Sequence, residues 1–184
     1  MTSQGYSSNR VPADDAKSAA VLLLLYDDPA KGLSTMYIKR PTRNPEDKHG
    51  GQVSFPGGQV DPEDKTLQDT ALRETEEELG IPRGKIEVLG KLSSMYVFVS
   101  NFQVIPYVGY LPEQPIFKIQ ESEVDYPITV SIADLLSQLP PQRKDLLVRS
   151  FTIKDVPYWD LNGDTLWGAT AMITREFLDV YASL

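Results

Sequence analysis

Phe55-Pro56-Gly57-Gly58, then Gln59 to Lys65, then Thr66 to Ile81 (TLQDTALRETEEELGI) is the stretch from which the rest of the chain is read. Thr66 with Asp69 three residues on is a capping-box signature, and Gly80 followed by Pro82 is a stop. Together they predict a helix of about four turns between Thr66 and Ile81. At roughly 100° per residue, Leu67, Ala71, Thr75 and Leu79 form one stripe with Leu72 beside it, a face that should pack on a core. Glu74, Glu77 and Glu78 fall within an arc of about 100° along one border of that stripe, while Asp69 and Glu76 point to solvent. Carboxylates spaced i, i+3, i+4 repel one another and raise one another's pKa unless a cation sits among them. Hard oxygen ligands of this kind suit Mg2+ or Mn2+. A bare acidic run reads as a solvated helix face, but this one has particular neighbours. Gly57 and Gly58 let a backbone carbonyl approach an ion, and Arg73 is within reach of Asp64 in the preceding loop.

The whole resembles the Nudix box: a Gly, five residues, a Glu, seven residues, then Arg-Glu-aliphatic-x-Glu-Glu-x-Gly-aliphatic. Gly58, Arg73, Glu74, Glu77, Glu78, Gly80 and Ile81 match it. Asp64 stands where the first Glu belongs, the spacer from it to Arg73 is eight residues, and Thr75 replaces an aliphatic.

At 184 residues the chain suits one domain, expected over residues 17–184, with residues 1–16 a polar, mobile arm. It has no cysteine, hence no disulfide, zinc-thiolate site or thiol nucleophile; a reducing compartment, the cytoplasm, is the expected location. The apolar run Ala19 to Tyr26 is far short of the roughly 20 residues of a membrane span and reads as a buried strand. A net charge of −8 argues against a nucleic-acid binder. Much of that charge is local, since Asp61 to Glu78 holds eight acidic and two basic residues. Such a chain handles anions only with metal between. The expected partner is a small nucleotide substrate, with neither nucleic acid nor membrane, and a homodimer is admitted as the assembly.

Ala19 to Tyr26 and Ser34 to Arg40 read as a hairpin across the turn-rich Asp27 to Gly32. Lys39, Arg40, Arg43, Lys48 and His49 make the next stretch basic, and it leads through a strand, Gln52 to Phe55, to the two glycines. Cations so placed would face an anionic phosphate substrate. Ile86 to Leu92 and Phe102 to Leu111 read as strands, with Pro106 predicting a bulge or an edge. Glu121, Glu123 and Asp125 open a strand, Val124 to Val130; one of them is a candidate fourth carboxylate for a metal, or all three are a solvated loop. Ser131 caps a short helix to Leu139. Leu147 to Ile153 and Val156 to Leu161 read as strands, and Asn162-Gly163 as a hairpin turn. Gly168 opens a last helix whose apolar face is Met172, Ile173, Phe177, Val180 and Tyr181. Asp160, Asn162 and Asp164 lack the spacing and closing Glu of a calcium loop. No phosphate-binding P-loop is present. His49, the only histidine, is expected to make a hydrogen bond within its loop.

Gly51 to Gly58, Asp61-Pro62-Glu63-Asp64, Thr70 to Glu74, and Leu166 to Ala171 are similar to the coenzyme A diphosphatase branch of the Nudix hydrolases, whose members share the eight-residue spacer. Where that branch carries an Arg four residues before the glycine that is Gly51 here, this chain has Asp47. The resemblance implies an α/β/α sandwich with a mixed sheet; periodicity alone says α/β or α+β. It implies metal-dependent cleavage of coenzyme A to 3',5'-ADP and 4'-phosphopantetheine. It makes Glu74 and Glu78 principal metal ligands with the carbonyl of Gly58, Glu77 a bridge to a second ion or a base, and Arg73 the residue that holds the loop through Asp64. Hydrolysis of a nucleotide sugar, a dinucleoside polyphosphate or an oxidised nucleotide is the alternative, and a non-catalytic nucleotide-binding module a further one.

Overall fold

The first two apolar runs close into an antiparallel hairpin, β1 (Lys17–Asp28) with β2 (Gly32–Lys39), in the register that sets Leu25 opposite Thr35. The computed structural model describes residues 11–43, 48–148 and 151–184; the first ten residues of the expected arm, and Asp47, lie outside them. β1 is apolar on both faces, as a strand buried on both sides must be. Ala20, Leu22, Leu24 and Tyr26 face one way, Leu23 and Leu25 the other.

β3 (Val53–Ser54) and β8 (Tyr126–Ser131) pair with β2. β4 (Gly57–Gln59) pairs with β1. β7 (Phe102–Leu111) runs parallel to β1, with Leu22 opposite Tyr107. On its other side β7 carries β5 (Glu87–Lys91) and β6 (Met95–Val97) end to end. β7 is therefore an internal strand, which corrects the edge expectation for Pro106. The Pro106 carbonyl accepts from Leu92 N–H at 2.9 Å, just past the end of β5, so the position without an N–H faces Leu92, between β5 and β6. Proline cannot return the reciprocal bond there, and the loss falls where the paired strand ends. The bulge lies in the partner, between Val88 and Gly90 of β5.

α1 (Leu67–Leu79) packs Ala71, Leu72 and Leu79 on one face of this mixed sheet. α2 (Ile132–Ser137) and α3 (Gly168–Tyr181) bury Leu135, Ala171, Ile173, Phe177 and Leu178 on the other. The result is an α/β/α sandwich. A small antiparallel sheet of β9 (Gln142–Val148), β10 (Phe151–Leu161) and β11 (Asp164–Leu166) adds Trp159, Leu161 and Leu166 to the α3-side core. Asn162 and Gly163, both at positive φ, form the two-residue turn between β10 and β11.

Two expectations are corrected here. Leu147 to Ile153 is not one strand, because Val148 belongs to β9 and pairs antiparallel with Phe151 of β10. On α3, Thr174 and Leu178 join the buried face, whereas Val180 and Tyr181, in the last turn, are 47% and 36% exposed.

Candidate active site

The helix that carries the acidic residues is fixed at both ends by its own sequence. Asp69 N–H donates to Thr66 Oγ1 (3.2 Å) and Thr66 N–H to Asp69 Oδ2 (2.9 Å), a complete capping box. Gly80 closes it in the left-handed conformation (φ 68°), its N–H on Glu76 O. Two further carbonyls of the last turn are taken by the loop before β8: Lys118 N–H donates to Leu79 O (2.8 Å) and Gln120 N–H to Glu78 O (2.9 Å). These two bonds bring Glu121 to Asp125 against the acidic border of α1.

Glu78 is 2% exposed, and its Oε2 accepts from Gly57 N–H at 3.0 Å. Burial pushes its carboxyl up to about 8; the Gly57 hydrogen bond and the Arg40 charge oppose this, while Glu74 and Glu123 add to it. Glu74 is raised too, again first by burial, with Arg73 opposing. Glu123, exposed on its loop, completes the group. One carboxylate oxygen from each of Glu74, Glu78 and Glu123 lies within 4.8 Å of the others. Three hard oxygen donors so close together fit a divalent cation. Glu123 is thus the member of the acidic trio that joins the helix pair. Glu121 offers its carbonyl, and Asp125 its carboxylate, to Arg43 instead.

Glu77 stands outside this group. It is exposed, and its Oε2 accepts from Arg73 Nη1 at 2.8 Å. Arg73 forks onto Asp64, Nε to Oδ1 at 2.9 Å and Nη2 to Oδ2 at 3.0 Å, and reaches Glu74 Oε1 at 3.0 Å and Gln59 O at 3.3 Å. The guanidinium holds the Asp64 carboxyl well below the usual carboxylate range. Thr70 Oγ1 and Asp61 N–H also donate to Asp64, so one carboxylate ties the loop to α1.

The glycines are required by space. A Cβ on Gly57 (φ 147°) would strike Ala20 O, and one on Gly58 would occupy the position of the Glu74 carboxylate. Their backbone is the wall between the carboxylates and a cleft of about 330 Å³ lined by Arg40, His49, Gln52, Val97, Phe102 and Trp167 among others. Of the four cations expected to face substrate, Arg40 lines this cleft. Lys39 Nζ lies 2.7 Å from Asp164 Oδ1, Arg43 holds the Glu121–Asp125 turn, and Lys48 Nζ donates to Val99 O at 3.0 Å. His49 Nδ1 lies 3.2 Å from Gln52 Oε1, a bond within its loop. Phe102, Val97 and Trp167 carry no sequence signal for this position; the sheet register and the start of α3 bring them together.

A family model described as the NUDIX domain matches residues 16–161, and the chain belongs to that family, the Nudix hydrolases. Nudix hydrolase NudL of Photorhabdus laumondii is 34% identical over 164 residues, 89% of this chain and 84% of that protein. NudL of Yersinia enterocolitica is 38% identical over 129 residues, 70% of this chain but 65% of that protein, so the match spans just under two thirds of the relative's own length. Among solved structures, the M. smegmatis Nudix hydrolase RenU superposes with a TM-score of 0.61 at 15% identity, covering 92% of this chain and 88% of that one. A C. elegans Ap4A hydrolase complex gives 0.58 at 15% identity, over 90% and 99%. At such identities the likeness is one of fold. No helix among the described residues is long and apolar enough to cross a membrane.

Proposed function

We propose that this chain hydrolyses the diphosphate bond of coenzyme A, giving 3',5'-ADP and 4'-phosphopantetheine, with Mg2+ or Mn2+ as cofactor. The observation that carries the reading is the convergence of Glu74, Glu78 and Glu123 behind Gly57-Gly58, with a cleft holding Arg40 on the other side of those glycines. The choice of coenzyme A is supported by the resemblance of Gly51 to Gly58 and of the eight-residue spacer to that branch of the family. In the reaction, water adds to one phosphorus as the bridging P–O bond breaks, and the two halves leave as phosphate monoesters. A divalent ion, when bound, neutralises charge on the diphosphate and acidifies the attacking water.

The chain's own residues have separable tasks. Glu74, Glu78 and Glu123, with the carbonyl of Gly58, hold the cation. Arg73 keeps α1 and the Asp64 loop in register, so that Glu74 stays beside Gly58. Arg40 faces the diphosphate from the cleft wall and partly offsets the negative field at Glu78. Glu77 as base or second-ion ligand rests on the family pattern alone; its Oε2 is taken by Arg73.

The alternative is another nucleotide substrate, favoured by Asp47 where the coenzyme A branch carries Arg. A panel of coenzyme A, a nucleotide sugar and a dinucleoside polyphosphate, with products separated by chromatography, tests the choice. The highest kcat/KM is expected for coenzyme A. A clear preference for another member of the panel replaces it.

A further inference from the structure

Glu123 reaches Glu74 and Glu78 from a turn that belongs to no helix or strand, Glu121 to Glu123, between Gln120 and β8. A carboxylate on such a turn is a useful ligand only if the turn is held, since each mobile rotor costs entropy on binding. The backbone fixes the two ends. Gln120 N–H bonds Glu78 O at 2.9 Å, and Asp125 N–H bonds Lys39 O at 2.8 Å. Val124 is fully buried, with its N–H on Gln120 O. The tip, with exposed Glu121 and Glu123, is spanned by one guanidinium: Arg43 Nη1 donates to Glu121 O at 2.9 Å and Nη2 to Asp125 Oδ1 at 3.2 Å. Arg43 thus grips the residues two before and two after Glu123.

We propose that Arg43 is a positioning residue that holds Glu123 in the three-carboxylate site, rather than a ligand of the substrate phosphate. The proposal rests on the reading of that cluster as a metal centre. A planar fork presents two nitrogens to two acceptors at fixed separation, whereas a lysine offers both only a single ammonium nitrogen on a flexible stem. The Arg43 and Asp125 side chains are 66% and 30% exposed, so their ion pair adds little to global stability. Its consequence is local. Residues that orient metal ligands from outside typically change metal affinity or activity by about 10- to 100-fold when removed.

The test is a calorimetric Mn2+ titration of the metal-free protein, comparing wild type with Arg43→Ala, Arg43→Lys, Glu123→Gln and the double variant Arg43→Ala/Glu123→Gln. Arg43→Ala is expected to weaken Mn2+ binding by on the order of tenfold, with an unchanged Tm. Arg43→Lys should not restore the wild-type Kd, although it keeps the charge. On the Glu123→Gln background, Arg43→Ala should add nothing, because the two act through one interaction. A wild-type titration in Arg43→Ala overturns the proposal, and a raised KM for coenzyme A beside it would reassign Arg43 to the substrate. Full additivity in the double variant overturns it as well. The titration needs no substrate, so failure of coenzyme A cleavage and failure of this proposal are read from different experiments.

Discussion

Glu78 has no cation partner within its own helix, yet it is almost fully buried, and its charge state sets the behaviour of the site. Its carboxyl in the folded chain titrates near 8 instead of the ordinary 4.5. Between those values the metal-free folded chain holds a proton that the unfolded chain has released. The contribution of Glu78 to stability without metal is therefore fully present below about 4.5 and is lost as pH rises toward 8. Thermal melts in EDTA across that range should show the decline, Mn2+ should reverse it, and Glu78→Gln should flatten it; an unchanged slope in Glu78→Gln would assign the effect elsewhere. Asp64 acts in the opposite sense. Its depressed pKa adds stability above its ordinary value of 3.8, and this is lost as pH falls through the folded-state value. Because the Asp64–Arg73 fork is mostly buried, Asp64→Ala should cost about 3 kcal/mol in urea unfolding. A loss below about 0.5 kcal/mol would mean that Glu74 and Glu77 satisfy Arg73 by themselves. Arg40→Ala should lower kcat/KM by about 10- to 100-fold, mostly through KM. An unchanged KM would remove Arg40 from the substrate cleft.

At the scale of elements, α1 was the most legible part of the chain, because its limits are local chemistry. Thr66 and Asp69 cap it and Gly80 ends it whatever the rest of the fold does. Thr66→Ala should cost about 1 kcal/mol, and Gly80→Ala at least as much. The added Cβ in Gly80→Ala would meet Lys118 Cβ at 2.7 Å at a φ of 68°, on the very segment that leads to Glu123. A Gly80→Ala variant with wild-type Tm would show that this segment shifts freely. The short strands were illegible for the converse reason. β4 and β6 hold three residues each, too few for a period to show, and exist only through pairing with β1 and β7. Glu123 could not be told from Glu121 and Asp125 by spacing, since what selects it is a turn held by Gln120, Val124 and Arg43. The partners of the cations were illegible in a similar way. Lys39, Arg43 and Lys48 read as a phosphate-facing group, and the fold also gives each an acceptor within the chain, Asp164, Asp125 and Val99 O, that proximity in sequence does not announce.

For the molecule as a whole, a net charge of −8 opposes an anionic substrate, and the charge is densest around Glu74 and Glu78. The fold resolves this by placing the carboxylates on one side of two glycines and the cleft with Arg40 on the other, so that a divalent cation at the boundary can serve both. The sandwich and its acidic helix followed from residue patterns and family resemblance; the boundary itself depends on β4 lying against β1, which no local pattern announces. The most direct measurement is the rate of coenzyme A cleavage by Glu78→Gln relative to wild type at saturating Mn2+, with Tm recorded on the same samples. The expected result is a kcat lower by at least about 100-fold, with KM little changed and the variant still folded. Wild-type kcat in Glu78→Gln, or wild-type turnover that persists in EDTA, would contradict the assignment of these carboxylates as the catalytic metal centre.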